Sequence, residues 1–400
     1  MKPLTKPEPL EHISFQFKTL QLLGLWFYIP HDFNCLKFWL HIMCKVFTGI
    51  FVFIIPPLGQ SICLIKLILS RDAEIQEIAG IINLVLTEML TSLKLLDLRC
   101  RRSLLKELKE QMEGSEFLHF HRPQIDFIEK SIKVSKKLFV WLTIGVVIDI
   151  TVHIIIVPAV HRFQFLPVKM DFIFFDIYKY PYFDIIFIYQ ILYKPTLLLT
   201  FVAIQTLRWG FLLCTISQLD VLIYNLKGMK KLDEGENLLD HESFDEAFKR
   251  NVIHHCAIIK FVKTFEAAFG GQFLLFFIFN SCIIGTTAIE FFSIQNPLNH
   301  VVDIFWIFGF VFMMIIILFI DCYFGSIITE KNSYISTVVY CHPWINLPKN
   351  TKKNLIIFIS RNQQTLTINA AKLVPVSLTT FTKVMNWTYK CFALLNQMKD

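Results

Sequence analysis

No two of the ten cysteines form a C-x-x-C pair; they are scattered from Cys35 to Cys391, mostly inside apolar runs. Buried free thiols are the ordinary state in such surroundings, and a disulfide framework is not expected. Catalytic signatures are missing too. The chain has no G-x-S-x-G, H-E-x-x-H, Walker loop or dinucleotide fingerprint. Gly270-Gly271 lacks the strand and third glycine of a phosphate loop, and DEGENLLDHESFDEAF lacks calcium-loop spacing. His254 and His255 are adjacent, so on a helix they point about 100° apart and cannot grip one metal together. No enzyme and no cofactor is expected. The start, MKPLTKPEPLEHISFQFKTL, is mixed in charge and does not read as a signal peptide. The lone sequon, Asn386-Trp387-Thr388, lies in an apolar run and is not expected to carry a glycan.

Glycine is scarce as well, with 14 residues against 41 phenylalanines, and charged residues make up only 18% of the chain. Apolar residues reach 54% and aromatic residues 15%, beyond what one compact soluble domain of 400 residues would bury. A spanning helix needs about 20 mainly apolar residues. Six runs qualify, at Phe38–Leu58, Ile75–Leu95, Leu138–Val157, Phe183–Phe201, Phe273–Phe292 and Val301–Ile320, and a seventh, more polar one runs from Val374 to Leu395. They are far longer than the roughly ten residues of a barrel strand. The expected fold is an all-α membrane protein with seven transmembrane helices.

Cytoplasmic loops carry the excess of Lys and Arg. With seven spans, residues 1–37, 94–137, 208–263 and 322–365 hold 28 of these cations, whereas the opposite loops and the tail hold 6. The N-terminus is therefore expected inside and the C-terminus outside. A G-protein-coupled receptor has the reverse orientation, and its acidic-Arg-aromatic triplet and NPxxY are absent. The net charge of +7 is read as topogenic, and no nucleic-acid partner is expected. LLDLRCRRSLLKELKEQ and QLDVLIYNLKGMKKL keep apolar residues three and four apart, which predicts helical extensions below the bilayer. The outer segment 159–182, rich in aromatics and proline, reads as a folded lid or a re-entrant connector.

Charges inside a bilayer usually face the bundle interior or a cavity. Asp149 and His153 are four apart and share a helix face, where they make either an interhelical hydrogen bond or the polar contact of a ligand cavity. Pro195 is expected to kink the fourth span and Lys194 to snorkel. Phe183, Phe187, Tyr189, Gln190 and Tyr193 place aromatic faces and one amide in the outer half of that span. With Asp149 and His153 they form the candidate pocket for a small volatile ligand.

Residues 322–397 resemble the insect odorant receptor family. The likeness rests on CYFG after the sixth span, on Trp344, Leu347 and Pro348, on Arg361 and Gln363, and on PVSL-x-TF-x-K leading into the seventh. The gustatory branch ends in TY with a glutamine five residues later; the glutamine after Thr388-Tyr389 comes late, at Gln397. The resemblance implies a ligand-gated, non-selective cation channel for smell in the plasma membrane of a sensory neuron dendrite. It implies a hetero-tetramer with the odorant co-receptor, and a pocket between the second, third, fourth and sixth spans. The implied domains are a cytoplasmic segment 1–37, a ligand-binding bundle 38–320, an anchor region 321–373 and a pore-lining helix 374–400. Within them, residues 349–371 would form the anchor helix and Pro375 the first turn of the pore helix. A gustatory-type chemoreceptor, or another multi-pass receptor or transporter, is the alternative.

Thr379, Lys383, Asn386, Lys390, Ala393 and Gln397 are spaced by three and four residues and fall in one stripe. On the family's plan Lys383, Asn386, Lys390, Leu394 and Gln397 line the pore, with Leu394 and Gln397 at its outer gate. Lys390 departs from the uncharged residue usual in the family, and a lysine opposes cations. Either it snorkels off the axis or co-receptor subunits dilute it.

Overall fold

A computed structural model of the protein describes residues 9–25, 43, 46, 48–70, 75–118, 121–160, 166–172, 177, 179–233, 244–294, 301–342, 344 and 347–397. A 3₁₀ turn at Pro9–His12 leads into α1 (Ser14–Leu22). Then come α2 (Ile55–Ser70), α3 (Ile75–Cys100), α4 (Arg102–Glu113) and α5 (Arg122–Ile150), which runs on into a π turn at Thr151–Ile156. The long helices α6 (Tyr182–Asp233), α7 (Phe244–Phe292) and α8 (Val301–Tyr340) follow. The chain closes with α9 (Lys349–Asn362), the antiparallel strands β1 (Asn369–Ala370) and β2 (Val374–Pro375), and α10 (Leu378–Gln397).

Six of these helices among the described residues are long and apolar enough to cross a membrane: α2, α3, α5, α6, α7 and α8. The more polar α10 makes the seventh. At 1.5 Å per residue the 52 residues of α6 extend about 78 Å, against a hydrocarbon core of about 30 Å. The long helices therefore project well beyond lipid, and their projecting ends pack together. On α4 the residues Leu105, Leu108 and Met112, three and four apart, are buried and the helix lies against α7. The chain breaks at Arg101 between α3 and α4, where Arg101 Nε donates to Asp97 at 2.8 Å.

Four expectations change. The first span was expected to end near Leu58, yet the apolar helix runs over Thr48–Ser70. Its one intervening charge, Lys66, is paired with Asp171 at 2.6 Å. Helix α9 stops at Asn362, not at residue 371. Pro375 lies in β2, and Ser377 instead caps α10, its Oγ 3.4 Å from the Thr380 amide. Lys194 does not snorkel: it is 6% exposed, its Nζ lies 3.4 Å from Glu88, and α6 continues through Pro195.

Of the outer segment, Leu166, Val168, Met170 and Ile177 are buried. Gln190 clamps it by accepting from the Val168 amide at 2.9 Å and donating to the Val168 carbonyl at 2.8 Å. Lys169 pairs with Glu77 at 2.7 Å, and the Asp171 amide donates to the Gly59 carbonyl. This part of the segment is a lid fastened to α2, α3 and α6.

The N-terminal segment docks at the opposite end. His12 is buried, with Nδ1 2.9 Å from the Pro9 carbonyl and Nε2 3.1 Å from the Ser131 hydroxyl. Ser135 donates to the His12 carbonyl at 2.7 Å. The approach needs Gly210 on α6, where a Cβ would stand 2.7 Å from that same carbonyl. Burial lowers the His12 pKa from 6.5 to about 4. The unfolded imidazole thus binds its proton at higher pH than the docked one, so docking is fully stable above pH 6.5 and weakens as pH falls toward 4. Between pH 7 and pH 5 the loss is about 2 kcal/mol, or roughly 20-fold in the docking equilibrium. Hydrogen exchange of residues 9–25, corrected for its intrinsic pH dependence, should speed up accordingly, and His12→Gln should flatten the response.

Candidate functional site

The bundle forms a cavity of about 260 Å³ between α3, α5, α6 and α8, open on the side of the exposed Ile148 and Phe305 and slightly below the roughly 300–1,000 Å³ of drug-sized sites. Leu142, Val146, Leu198, Phe201, Met314 and Ile317 form its buried apolar walls. Trp306 stacks on Phe310, ring centroids 5.7 Å apart and planes 16° apart, and its Nε1 donates to Asp149 at 2.8 Å. Two glycines shape the space. A Cβ on Gly145 would lie 2.2 Å from the Met313 methyl group, so the side chain of Met313 fills the room that Gly145 leaves. A Cβ on Gly309 would meet nothing within 4 Å, so Gly309 faces open cavity.

Of the residues expected to form a pocket, Asp149 lines this cavity. His153 lies in the π turn, and its side chain falls outside what the structure describes. The others sit on other faces of α6. Phe183 stacks on Phe187, and both pack partly buried against the core. Tyr189 donates to the Phe51 carbonyl, Gln190 holds the lid, and Tyr193 donates to Glu88 at 3.2 Å. Trp306, Gly309 and Met313 had drawn no notice in the sequence, although a lone indole in an apolar run was a usable signal.

Near the middle of α6, one turn beyond Phe201, lies a buried ionic cluster. Asp321 on α8 accepts from Trp209 at 2.7 Å, from Gln205 at 3.1 Å on each oxygen, and from Arg208. Lys94 on α3 donates to Gln205 at 3.1 Å, with its ammonium over the rings of Phe276 and Phe201 at 4.2 and 4.6 Å. Arg208 covers the Phe273 ring at 4.2 Å. Lys94, Arg208 and Asp321 are at most 1% exposed. Phe201 touches both this cluster and the cavity.

The strand pair sits between α7 and α8 and feeds α10. The Ala371 amide donates to the Gly270 carbonyl at 2.9 Å, and a Cβ on Gly270 would lie 3.1 Å from the Asn369 carbonyl oxygen. Ala371 and Lys372 take left-handed φ of 48° and 62° to close the turn. Across the pair, a Cβ on Gly325 would lie 2.1 Å from the Val376 carbonyl oxygen, and Ser326 accepts from the Leu378 amide at 2.9 Å. Helix α10 then packs on α7 and α8 through Thr380, Phe381, Val384 and Thr388. Lys383, Asn386 and Lys390 lie exposed on its other side, flanked by exposed Trp387 and Tyr389. The side chains of Leu394 and Gln397 are outside the described set.

These features define a multi-pass helical membrane receptor, with an apolar cavity between its helices and an amphipathic terminal helix on its flank. Residues 74–389 match the family model described as 7tm Odorant receptor, and the chain belongs to that insect chemoreceptor family of the plasma membrane. It is 27% identical to Odorant receptor 85c of Drosophila melanogaster over 150 residues, 37% of each chain. It is 23% identical to Odorant receptor 10 of Aedes albopictus over 223 residues, 56% of this chain and 58% of that one. These matches span between about a third and just over half of the relatives' length. The fold matches the olfactory receptor OR5 of Machilis hrabei, solved alone and in complex with eugenol, with a TM-score of 0.79 at 14% identity over 96% of this chain and 97% of that one.

Proposed function

We propose that the protein is an odorant-tuning subunit: it binds a small apolar volatile in the α3–α5–α6–α8 cavity and, with the odorant co-receptor, gates a non-selective cation channel. The observation that carries the binding role is the cavity between these four helices, whose apolar walls hold only a few convergent polar groups. The solved complex of the Machilis receptor with eugenol supports an odorant as its occupant. The pore role rests on α10, whose polar stripe at Lys383, Asn386 and Lys390 is left uncovered by the other described residues. Such a stripe suits a helix facing water on the axis of a tetramer, with Leu394 and Gln397 further along it at the outer gate. Lys390 would be tolerated there if co-receptor subunits, lacking that charge, dilute it. On this plan the N-terminus, α4 and α9 are cytoplasmic, in accord with the cation bias of their loops, and the lid is external, at a sensory dendrite surface.

The test is whole-cell current from this chain co-expressed with the co-receptor across an odorant panel. Odorant-evoked cation current that persists without G-protein signalling is expected. Gly309→Leu starts its side chain where a Cβ meets nothing within 4 Å, so it should occupy cavity space, and it should stabilise the helix by up to about 1 kcal/mol over glycine. It should raise the effective concentration of bulky agonists at least tenfold while surface expression stays at wild-type level. Unchanged potency for all agonists would remove the cavity from the mechanism.

A further inference from the structure

We propose that the cavity selects ligands that donate a hydrogen bond, such as alcohols, phenols and amines, over aldehydes, ketones, esters and ethers of the same size. The inference rests on the odorant-site reading and concerns the chemistry of that site. Three lining side chains carry nitrogen or oxygen: Thr87, Asp149 and Trp306. The Trp306 N–H is committed to Asp149 Oδ1 at 2.8 Å, and the Thr87 hydroxyl proton to the Asn83 carbonyl at 2.8 Å. With Asp149 ionised, the described lining residues thus retain no uncommitted side-chain donor. It does retain acceptors. No described residue hydrogen-bonds to Asp149 Oδ2, the Thr87 oxygen keeps a lone pair, and the sulfurs of Met313 and Met314 accept weakly.

This inventory is one-sided, and the consequence follows from the cost of burying a polar group unpaired. A hydroxyl or ammonium group entering beside Asp149 gives Oδ2 a partner and satisfies its own donor. A carbonyl or ether entering the same space finds no donor, and it displaces whatever water served the carboxylate. Discrimination by a buried polar group left without its partner exceeds what hydrophobic shape alone provides. Asp149 is well placed to enforce it. The indole that fixes its Oδ1 is itself pinned by the stack on Phe310, and the π turn Thr151–Ile156 begins two residues beyond it, a helix irregularity that favours functional positions.

The experiment compares matched pairs on aliphatic and aromatic scaffolds: hexan-1-ol and hexylamine against hexanal and ethyl butyl ether, and benzyl alcohol and phenol against benzaldehyde and anisole. Each is applied to the co-receptor complex, and effective concentrations are compared within every scaffold that evokes current. Donors should be roughly ten- to hundredfold more potent than their partners, the range for a hydrogen bond to a charged group. The hydroxyl and amine arms show whether a neutral donor suffices. Asp149→Asn keeps an oxygen for Trp306 and presents an amide N–H to the cavity, so it should narrow the ratio at least tenfold by improving the carbonyl and ether ligands. Equal potency within pairs, with both members weakened by Gly309→Leu, overturns the donor preference and leaves the odorant site standing. Indifference of every active scaffold to Gly309→Leu, or no response to any compound, overturns both.

Discussion

Replacing Asp321 by alanine will remove most of the folded receptor from the cell surface. Among the described residues Asp321 is the one anion of a buried cluster in which Arg208 contacts it directly and Lys94 reaches it through Gln205, and its two oxygens accept hydrogen bonds from three residues of α6. Without it two cations stay buried with no counter-charge, and Trp209 and Gln205 each lose their acceptor. Deleting one partner of a buried pair typically costs 3–5 kcal/mol, a large share of the roughly 5–15 kcal/mol that holds a protein folded. Asp321→Asn keeps acceptor capacity but not charge, and should fall between. Surface biotinylation and the melting temperature of the detergent-extracted protein read this ordering. Wild-type values for the alanine variant would show the cluster to be dispensable.

Gly325→Ala should abolish odorant-evoked current while leaving much of the protein folded. A methyl group there would overlap a backbone oxygen at 2.1 Å, and a main-chain carbonyl has no rotamer with which to escape. Either α8 or the segment Val374–Ser377 must shift by about 1 Å, at a cost near the 1–3 kcal/mol of overpacking. That segment leads directly into α10, whose first turn also hangs on Ser326, so the strain is delivered to the start of the helix assigned to the pore. At matched surface expression the maximal current should drop at least tenfold. Gly270→Ala supplies the control, since its methyl group meets its nearest neighbour at 3.1 Å and should cost far less. If both variants conduct alike, the packing of the strand pair does not set the position of α10.

The contrast between these glycines and the spans shows what can be read in one dimension. Five of the first six spans were legible because twenty apolar residues in a row have few other destinations; α7 ends at Phe292 and α8 begins at Val301, as read. The stripe on α10 was legible because 3.6-residue periodicity is local. Gly270 looked like a failed phosphate loop, and its reason is a carbonyl a hundred residues away. Two-residue strands have no period to detect. Lys94 and Arg208 were the most instructive misreadings. Both were counted as loop cations, yet both are buried against a carboxylate cluster supplied by α8. A charge at the end of an apolar run reads the same whether it faces headgroups or a partner, because the partner is remote in sequence. The same limit applies to the expected aromatic pocket. Phe183, Phe187, Tyr189, Gln190 and Tyr193 do not line the α3–α5–α6–α8 cavity, and only the neighbours in space decide which residues of α6 meet it.

The length of α6 gives the receptor a lever. One unbroken helix of 52 residues carries the lid clamp at Gln190, the cavity wall at Leu198 and Phe201, the ionic cluster at Gln205 to Trp209, and the seat of the N-terminal segment at Gly210. A rod of about 78 Å that tilts by one degree about its middle sweeps each tip through roughly 0.7 Å, whereas the ionic cluster and the Gly210 seat, close to its midpoint, barely move. Any tilt of α6 therefore carries the cavity wall and the lid clamp together, with the buried cluster as the fulcrum.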